Sequence, residues 1–119
     1  MINYHFVFCP CYRRKIFLID GVEKHFKELV NTISEEKELK IIALECDIDH
    51  VHLFINAKPS INPSKIMYHL KRRTSRIIRK KFDRLSNMPS LWTRSYFVST
   101  AGEVSSETIK KYVENQKKR

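Results

Sequence analysis

The chain has 119 residues, about the length of one ordinary domain, which argues against a separate cofactor-binding module beside a catalytic one. With 42% apolar and 30% charged residues, the composition indicates a folded protein that stays in water and excludes a disordered tail. Twenty-three Lys and Arg against thirteen Asp and Glu leave a net charge of +10, which predicts a polyanionic partner, with nucleic acid the best fit.

The first residues lack the basic region and apolar run of a secretory signal, and no run of 18 apolar residues predicts a membrane span. Three cysteines, an odd number, indicate reduced intracellular thiols rather than a disulfide framework. We therefore expect a cytoplasmic protein. The close pair Cys9 and Cys11 fits either ordinary packing or part of a zinc site, although the usual second pair is missing.

Hydrophobic periodicity divides the chain into four strands and three helices. The predicted strands are 4–9, 39–46, 50–56 and 92–100, and the predicted helices run from Val22 to Ile33, from a Ser64 cap to about Arg84, and onward from a Ser105 cap. The order β-α-β-β-α-β-α predicts an α+β fold, a ferredoxin-like (RRM-like) split βαβ sandwich with an added C-terminal helix. Its antiparallel sheet carries helices on one face and leaves the other face open.

Two histidines stand in the apolar strand predicted at 50–56. Alternation sends Val51 to the core and both His50 and His52 to the opposite face. The Cα atoms of the two histidines are two strand rises apart, roughly 6.5–7 Å. Both rings can therefore converge on one ion with nitrogen–metal distances of about 2.0–2.2 Å. The pattern fits either a metal site or histidines that only pack, and the nearby Asp47 and Asp49 favour the metal site.

The last predicted helix offers a second pair of polar side chains. Tyr112 and Gln116 are four residues apart and therefore share one helix face. Their hydroxyl and amide oxygens could point at the same place, although Tyr112 also suits a packing position beside Ile109 and Val113. Because two imidazoles rarely hold a divalent ion alone, a third ligand is expected from elsewhere in the chain.

Taken in order, these segments resemble the single-tyrosine transposases of the HUH endonuclease superfamily, enzymes of small insertion sequences that move as single-stranded DNA. The resemblance rests on residues 4–8, 10, 12–14, 49–53, 91–92, 96–102 and 112–116. Each segment is common by itself, but their order is specific. The resemblance implies a single HUH endonuclease/transposase domain over residues 1–119.

The resemblance also implies a metal-dependent single-stranded DNA transposase that cleaves and rejoins strands through a 5′-phosphotyrosine intermediate. By similarity, His50 and His52 match the metal-binding histidine pair, Gln116 the third ligand and Tyr112 the nucleophile, with Mg²⁺ or Mn²⁺ as the ion. The implied partner is single-stranded DNA with hairpin ends, and the implied assembly is a homodimer with active sites shared between subunits. Cys11 stands where such proteins often have lysine, which removes one possible phosphate contact.

Nine basic residues and one acid lie between Lys65 and Arg84. A helix stripe of almost purely positive charge predicts phosphate binding rather than a merely solvated face. A second basic cluster flanks Tyr112. The predicted DNA-binding residues are Arg13, Arg14, Lys65, Lys71, Arg72, Arg73, Arg76, Arg79, Lys80, Lys110 and Lys111.

Two alternative functions stay open at the level of sequence. A non-catalytic single-stranded nucleic-acid binding module would stack bases on exposed aromatic residues of the sheet, such as Phe54 and Tyr96, and would leave Tyr112 and Gln116 without a role. A domesticated HUH nickase would keep the whole site and cut repeats without transposing. A covalent protein–DNA adduct would distinguish either enzyme from the binding module.

Overall fold

The structure is a computed structural model that describes residues 1–100. The strands in this part of the chain are β1 (Ile2–Phe8), β2 (Lys40–Cys46), β3 (Val51–Ala57) and β4 (Phe97–Thr100), and the α-helices are α1 (Val22–Glu36) and α2 (Pro63–Lys81). Neither of these helices has the length and apolar character needed to cross a bilayer. The predicted last helix, with Lys110, Lys111, Tyr112 and Gln116, lies outside the described residues.

The four strands form one sheet in the order β2-β3-β1-β4, and every neighbouring pair is antiparallel. This strand order is that of a split βαβ sandwich, so the predicted ferredoxin-like α+β fold is confirmed. The two central strands are β1, the aromatic run at the start of the chain, and β3, the aliphatic run that pairs with β2. The outer strands, β2 and β4, are the edges of the sheet.

The hydrophobic core lies on one side of the sheet. Phe6 of β1 and Leu53 of β3 are fully buried there, together with Phe26 of α1 and Leu70 of α2. Truncating one such side chain to Ala would cost about 2–5 kcal/mol of stability. Because both helices pack on this side, the alternate strand residues face away from them, as the period-two pattern predicts.

The limits of α2 differ from the predicted ones. Asn62, not Ser64, is the cap, because the Asn62 side-chain oxygen accepts the backbone N–H of Ser64 at 2.8 Å. Pro63 then takes the first helical position, where a missing N–H is harmless. The helix ends at Lys81 rather than Arg84 because the next residue, Phe82, has an extended backbone.

The last strand is also shorter than predicted, beginning at Phe97 instead of residue 92. Trp92 turns into the core, where its indole N–H donates to Thr74 Oγ1 at 2.9 Å. Lys71 Nζ donates to the carbonyl oxygens of Thr93 and Ser95 at 2.8 and 2.9 Å. These contacts hold the segment against α2, and within residues 1–100 only an isolated bridge between Trp92 and Pro10 continues the pairing with the first strand.

Candidate active site

The β1–β3 register brings histidines together on the open face of the sheet. His5 pairs with Phe54 and His52 pairs with Val7, so His5 and His52 are diagonal neighbours on one face. The ring centroids of these two histidines are 5.6 Å apart. The site therefore contains a histidine from β1 in addition to the pair predicted from the sequence.

His50 lies just before β3, because the strand begins at Val51, one residue later than predicted. The connection from β2 closes where the Asp47 N–H donates to the His50 carbonyl oxygen at 2.8 Å. Val51 is fully buried, as predicted, and His50 and His52 are only partly buried. The predicted division of this segment between the core and the open face is therefore confirmed.

Charged contacts hold the His50 ring. Its Nδ1 lies 2.5 Å from Asp49 Oδ1, and the second Asp49 oxygen is 3.0 Å from the Arg13 guanidinium. Burial raises the pKa of Asp49, but the hydrogen bond from His50 and the nearby Arg13 outweigh it and hold the pKa below its usual value. The ionised carboxylate accepts the Nδ1–H of His50, and Nε2 is left as the ring nitrogen for an ion.

Arg13 reaches this site from a turn of unusual backbone geometry. Tyr12 and Arg13 have φ values of 57° and 52°, a left-handed conformation that is costly for residues with a side chain. The turn directs Arg13 to Asp49 and leaves the Tyr12 side chain 89% exposed. Arg13 and Arg14, both predicted to bind DNA, are exposed, and Arg13 is also engaged in the ion pair with Asp49.

His52 contacts a second histidine and a carboxylate. Its Nδ1 lies 3.3 Å from His5 Nε2, and its Nε2 lies 3.7 Å from Asp47 Oδ2. Burial lowers the pKa of His52 against the opposing charge of Asp47, and burial together with His52 lowers the pKa of His5 to about 4. Both rings are therefore neutral at pH 7, the form in which imidazole binds a metal ion.

His50 and His52 lie close enough to share one ion after a small movement of their rings. Their ring centroids are 6.3 Å apart, whereas two imidazoles bound to one ion at about 2.0–2.1 Å in tetrahedral geometry have centroids about 5 Å apart. Within residues 1–100, no group of three or more His, Cys, Asp or Glu is arranged to hold a metal ion. A further ligand is therefore required, and the predicted one, Gln116, lies outside the described residues, as does Tyr112.

The cysteine pair near the start of the chain takes part in packing. The Cys11 thiol donates to the Trp92 carbonyl oxygen at 3.0 Å, and the Cys9 carbonyl oxygen accepts the Thr93 N–H at 3.0 Å. No metal-holding group includes either cysteine among the residues that the structure describes. The structure therefore favours the packing interpretation over the zinc site.

The predicted basic stripe on α2 divides into two sets. Arg73 forms an ion pair with Glu36 of α1, Arg79 donates to the Met88 carbonyl oxygen at 2.8 Å, and Lys71 holds the segment before β4. The other four of the seven predicted DNA-binding residues on α2 are exposed, and their spacing of seven, four and four residues sets them along one side of the helix. This exposed basic ridge consists of Lys65, Arg72, Arg76 and Lys80.

A groove of about 530 Å³ runs beside the exposed basic ridge, between α2 and the segment before β4. Arg72, Arg94 and Tyr68 are among its lining residues, and no described residue that lines it is acidic. The Tyr68 ring is 55% exposed, and its hydroxyl accepts a hydrogen bond from Arg72 at 2.5 Å. The groove thus offers positive charge and an accessible aromatic ring, which suit a single-stranded nucleic acid.

The aromatic residues of the sheet face differ from the predicted stacking surface. Phe54 is only 4% exposed, because its ring stacks on His5 with centroids 4.0 Å apart and planes at 7°. Tyr96 is partly buried and packs against the core. The expectation that Phe54 is exposed for base stacking is wrong, which weakens the case for a purely binding module.

Sequence reasoning missed His5 and the contact of Arg13 with Asp49. The alternation in β1, where Tyr4 and Phe6 are buried on either side of His5, is the signal that could have assigned His5 to the open face. Alternation alone predicts the sheet face on which a side chain lies, but not the residue that it contacts. Only the strand register brings His5 next to His52.

Known proteins share this arrangement of elements. The family model of IS200-like transposases matches residues 1–116. The IS200 transposases of Salmonella typhimurium and Salmonella typhi are each 29% identical over 117 residues, which is 96% of this chain and 76% of theirs. The ISDra2 transposase TnpA of Deinococcus radiodurans is 29% identical over 118 residues, 97% of this chain and 84% of its own.

Two solved structures are similar along almost the whole chain. One, from Deinococcus radiodurans R1 and assigned as a transposase, has a TM-score of 0.77 at 31% identity and covers 96% of this chain and 89% of its own. The other is a REP-associated tyrosine transposase bound to a REP hairpin, with a TM-score of 0.67 at 10% identity, covering 95% of this chain and 62% of its own. The second likeness concerns the fold alone.

Proposed function

The chain belongs to the IS200-like transposase family, and from that premise we propose that it is a metal-dependent single-stranded DNA transposase acting through a 5′-phosphotyrosine intermediate. Membership of the family implies DNA strand cleavage and transfer. One observation carries the finer proposal: His50 and His52 each have Nδ1 engaged by a neighbouring side chain. Their Nε2 atoms are the ring nitrogens that an ion on the open face of the sheet would use.

His50, His52 and Gln116 would hold the ion, Mg²⁺ or Mn²⁺. When bound, it supplies Lewis-acid stabilisation of the charge on the phosphate and on the departing 3′ oxygen. The Tyr112 oxygen attacks phosphorus, the bond to the 3′ oxygen breaks, and the products are a 5′-phosphotyrosine and a free 3′-OH. Because the phosphotyrosine keeps the ester, attack by a 3′-OH rejoins strands without ATP.

A free phenol ionises only near pH 10, so the attacking oxygen needs help to lose its proton. Lys110 and Lys111, which precede Tyr112 in the sequence, add positive charge that favours the phenolate. The same two lysines can neutralise the scissile phosphate. In this proposal the basic residues around Tyr112 act on the reacting groups, and those of α2 act on the DNA outside the site.

The proposal is tested by incubation with short single-stranded oligonucleotides and Mn²⁺. We expect a covalent protein–DNA adduct that survives SDS with a single strand carrying a hairpin, and none with the same sequence as a full duplex. Element-end sequences flanking the gene supply the substrate. Tight binding of such strands without any adduct would contradict the enzyme and favour a binding module.

We propose that hairpin DNA lies along the exposed basic ridge and the adjacent groove. Four exposed cations on one side of α2 support this position. The REP-associated transposase of similar fold has a REP hairpin bound, which supports a hairpin as the ligand. Arg94 and Tyr68 of the groove suit the bases and phosphates of an unpaired segment. We also propose a cytoplasmic location, where a DNA substrate would be available.

Replacing Arg72, Arg76 and Lys80 together with Gln should flatten the slope of log K against log salt by about two to three units, because each cation releases counterions from one phosphate. Fluorescence anisotropy of a labelled DNA hairpin over a salt series measures the slope. Lys40→Gln is the matched control, because Lys40 is an exposed cation on β2, at the opposite edge of the sheet from β4, and does not line the groove. This variant should leave the slope almost unchanged. An unchanged slope in the triple variant would contradict the proposed DNA position.

We propose a homodimer in which the tyrosine helix of one subunit completes the histidine site of the other, as in the enzymes that this chain resembles. The edge strand β4 supports an assembly. On its outer side it has no partner strand within residues 1–100, and Phe97 is 57% exposed. Exposed edges with apolar side chains readily pair with another chain.

Mixing His52→Ala and Tyr112→Phe subunits should restore adduct formation that neither parent shows. If sites form in trans, one site of each mixed dimer combines both histidines of one chain with Tyr112 of the other, and its partner site carries both defects. Recovery should therefore reach about half of the wild-type sites in each mixed dimer. A gel assay after verified subunit exchange measures it, and no recovery would favour sites formed within one chain.

A further inference from the structure

His5 makes the shortest polar contact of His52 within the described residues. The distance from His5 Nε2 to His52 Nδ1 is 3.3 Å, whereas the Asp47 oxygen lies 3.7 Å from His52 Nε2, beyond hydrogen-bond distance. Two neutral imidazoles form such a bond only if one nitrogen donates and the other accepts. The direction of this bond therefore decides which nitrogen of His52 carries the proton.

We propose that His5 is a positioning residue that accepts a hydrogen bond from the His52 Nδ1–H and so keeps His52 Nε2 unprotonated for a metal ion. The inference rests on the proposed function, because a metal ligand needs that tautomer. The opposite direction, with His5 donating, would put the His52 proton on Nε2 and block it. The role of His5 toward His52 matches that of Asp49 toward His50.

The His5 ring is itself held in place. Its partner in the strand register, Phe54, stacks on one side of it with ring centroids 4.0 Å apart and planes at 7°. The ring of Phe97 from β4 meets it edge-on at 6.2 Å and 75°. Because rings from two neighbouring strands fix the imidazole, Nε2 is aimed at His52 before any ion binds.

The tautomer of His52 can be read directly in the full-length, metal-free protein. Long-range ¹H–¹⁵N spectra of the histidine rings at neutral pH, assigned with a His52→Ala sample, should show His52 as the Nδ1–H form. In His5→Phe, which keeps an aromatic ring against Phe54 but has no acceptor, the Nε2–H form should appear. In His5→Gln, whose amide oxygen reaches about as far as Nε2, the Nδ1–H form should persist. A wild-type His52 protonated on Nε2 would overturn the proposal without any variant at position 5.

Titration calorimetry with Co²⁺ alone gives a second measurement. His5→Phe should bind Co²⁺ about 10–100-fold more weakly than the wild type and His5→Gln within about threefold of it, since outer partners of metal-binding histidines have effects of this size. Equal affinity in a folded His5→Phe protein would overturn the role of His5. Wild-type affinity in His52→Ala would instead show that the metal site is wrong, and the tautomer spectrum would then still report whether His5 accepts from His52.

Discussion

Replacing Tyr112 with Phe should abolish the covalent protein–DNA adduct and leave the affinity for a DNA hairpin within a few-fold of the wild type. The change keeps the ring and deletes only the oxygen that would attack phosphorus. An SDS gel with end-labelled single-stranded substrate and Mn²⁺ measures the adduct, and anisotropy with the same strand measures binding.

The matched control is Tyr68→Phe, which deletes a hydroxyl on α2 that accepts a hydrogen bond from Arg72. This variant should form adduct at the wild-type level once the DNA is saturating. Loss of adduct in both variants would point to a shared effect on DNA binding. Undiminished adduct in Tyr112→Phe would mean that another residue is the nucleophile.

Replacing either His50 or His52 with Ala should abolish metal-dependent cleavage, because one imidazole and one amide oxygen are a poor site for a divalent ion. Excess EDTA should have the same effect on the wild type. Cleavage of a labelled oligonucleotide over a Mn²⁺ series measures both. Full cleavage by His52→Ala in EDTA would end the metal proposal.

Val51→Ala, between the two histidines, separates loss of the site from loss of the fold. Val51 is fully buried on the core side, so its truncation should lower the free energy of unfolding by roughly 1–3 kcal/mol. Denaturant unfolding followed by circular dichroism measures the loss. Below its melting temperature this variant should still cleave in Mn²⁺, unlike the histidine variants.

The fold could be predicted from the sequence because its signals are local. The period-two pattern of β3 assigned Val51 to the core, and the helical spacing after Gly21 predicted α1, whose described start is Val22. The order of strands and helices was then enough for the ferredoxin-like sandwich. The same alternation, however, suggested that Phe54 is exposed. Alternation predicts the sheet face on which a side chain lies but not which neighbours cover it, and His5 covers Phe54.

The contacts around the site depend on long-range geometry and could not be predicted. His5 and His52 meet through a strand pairing 47 residues apart in sequence, and Arg13 meets Asp49 through a left-handed turn that its residue types do not favour. From the sequence alone, all basic residues of α2 were also equivalent candidates for DNA binding. Arg73 is in fact paired with Glu36 of α1, a contact that exists only once the two helices pack together.

Mass spectrometry of the wild-type adduct tests the central claim most directly. After incubation with single-stranded substrate and Mn²⁺, nuclease and trypsin digestion should leave a nucleotide joined through its 5′ phosphate to the peptide that contains Tyr112, and the same reaction in EDTA should yield no such peptide. A nucleotide on any other residue, a linkage through a 3′ phosphate, or undiminished adduct in EDTA would contradict the proposed metal-dependent tyrosine transposase.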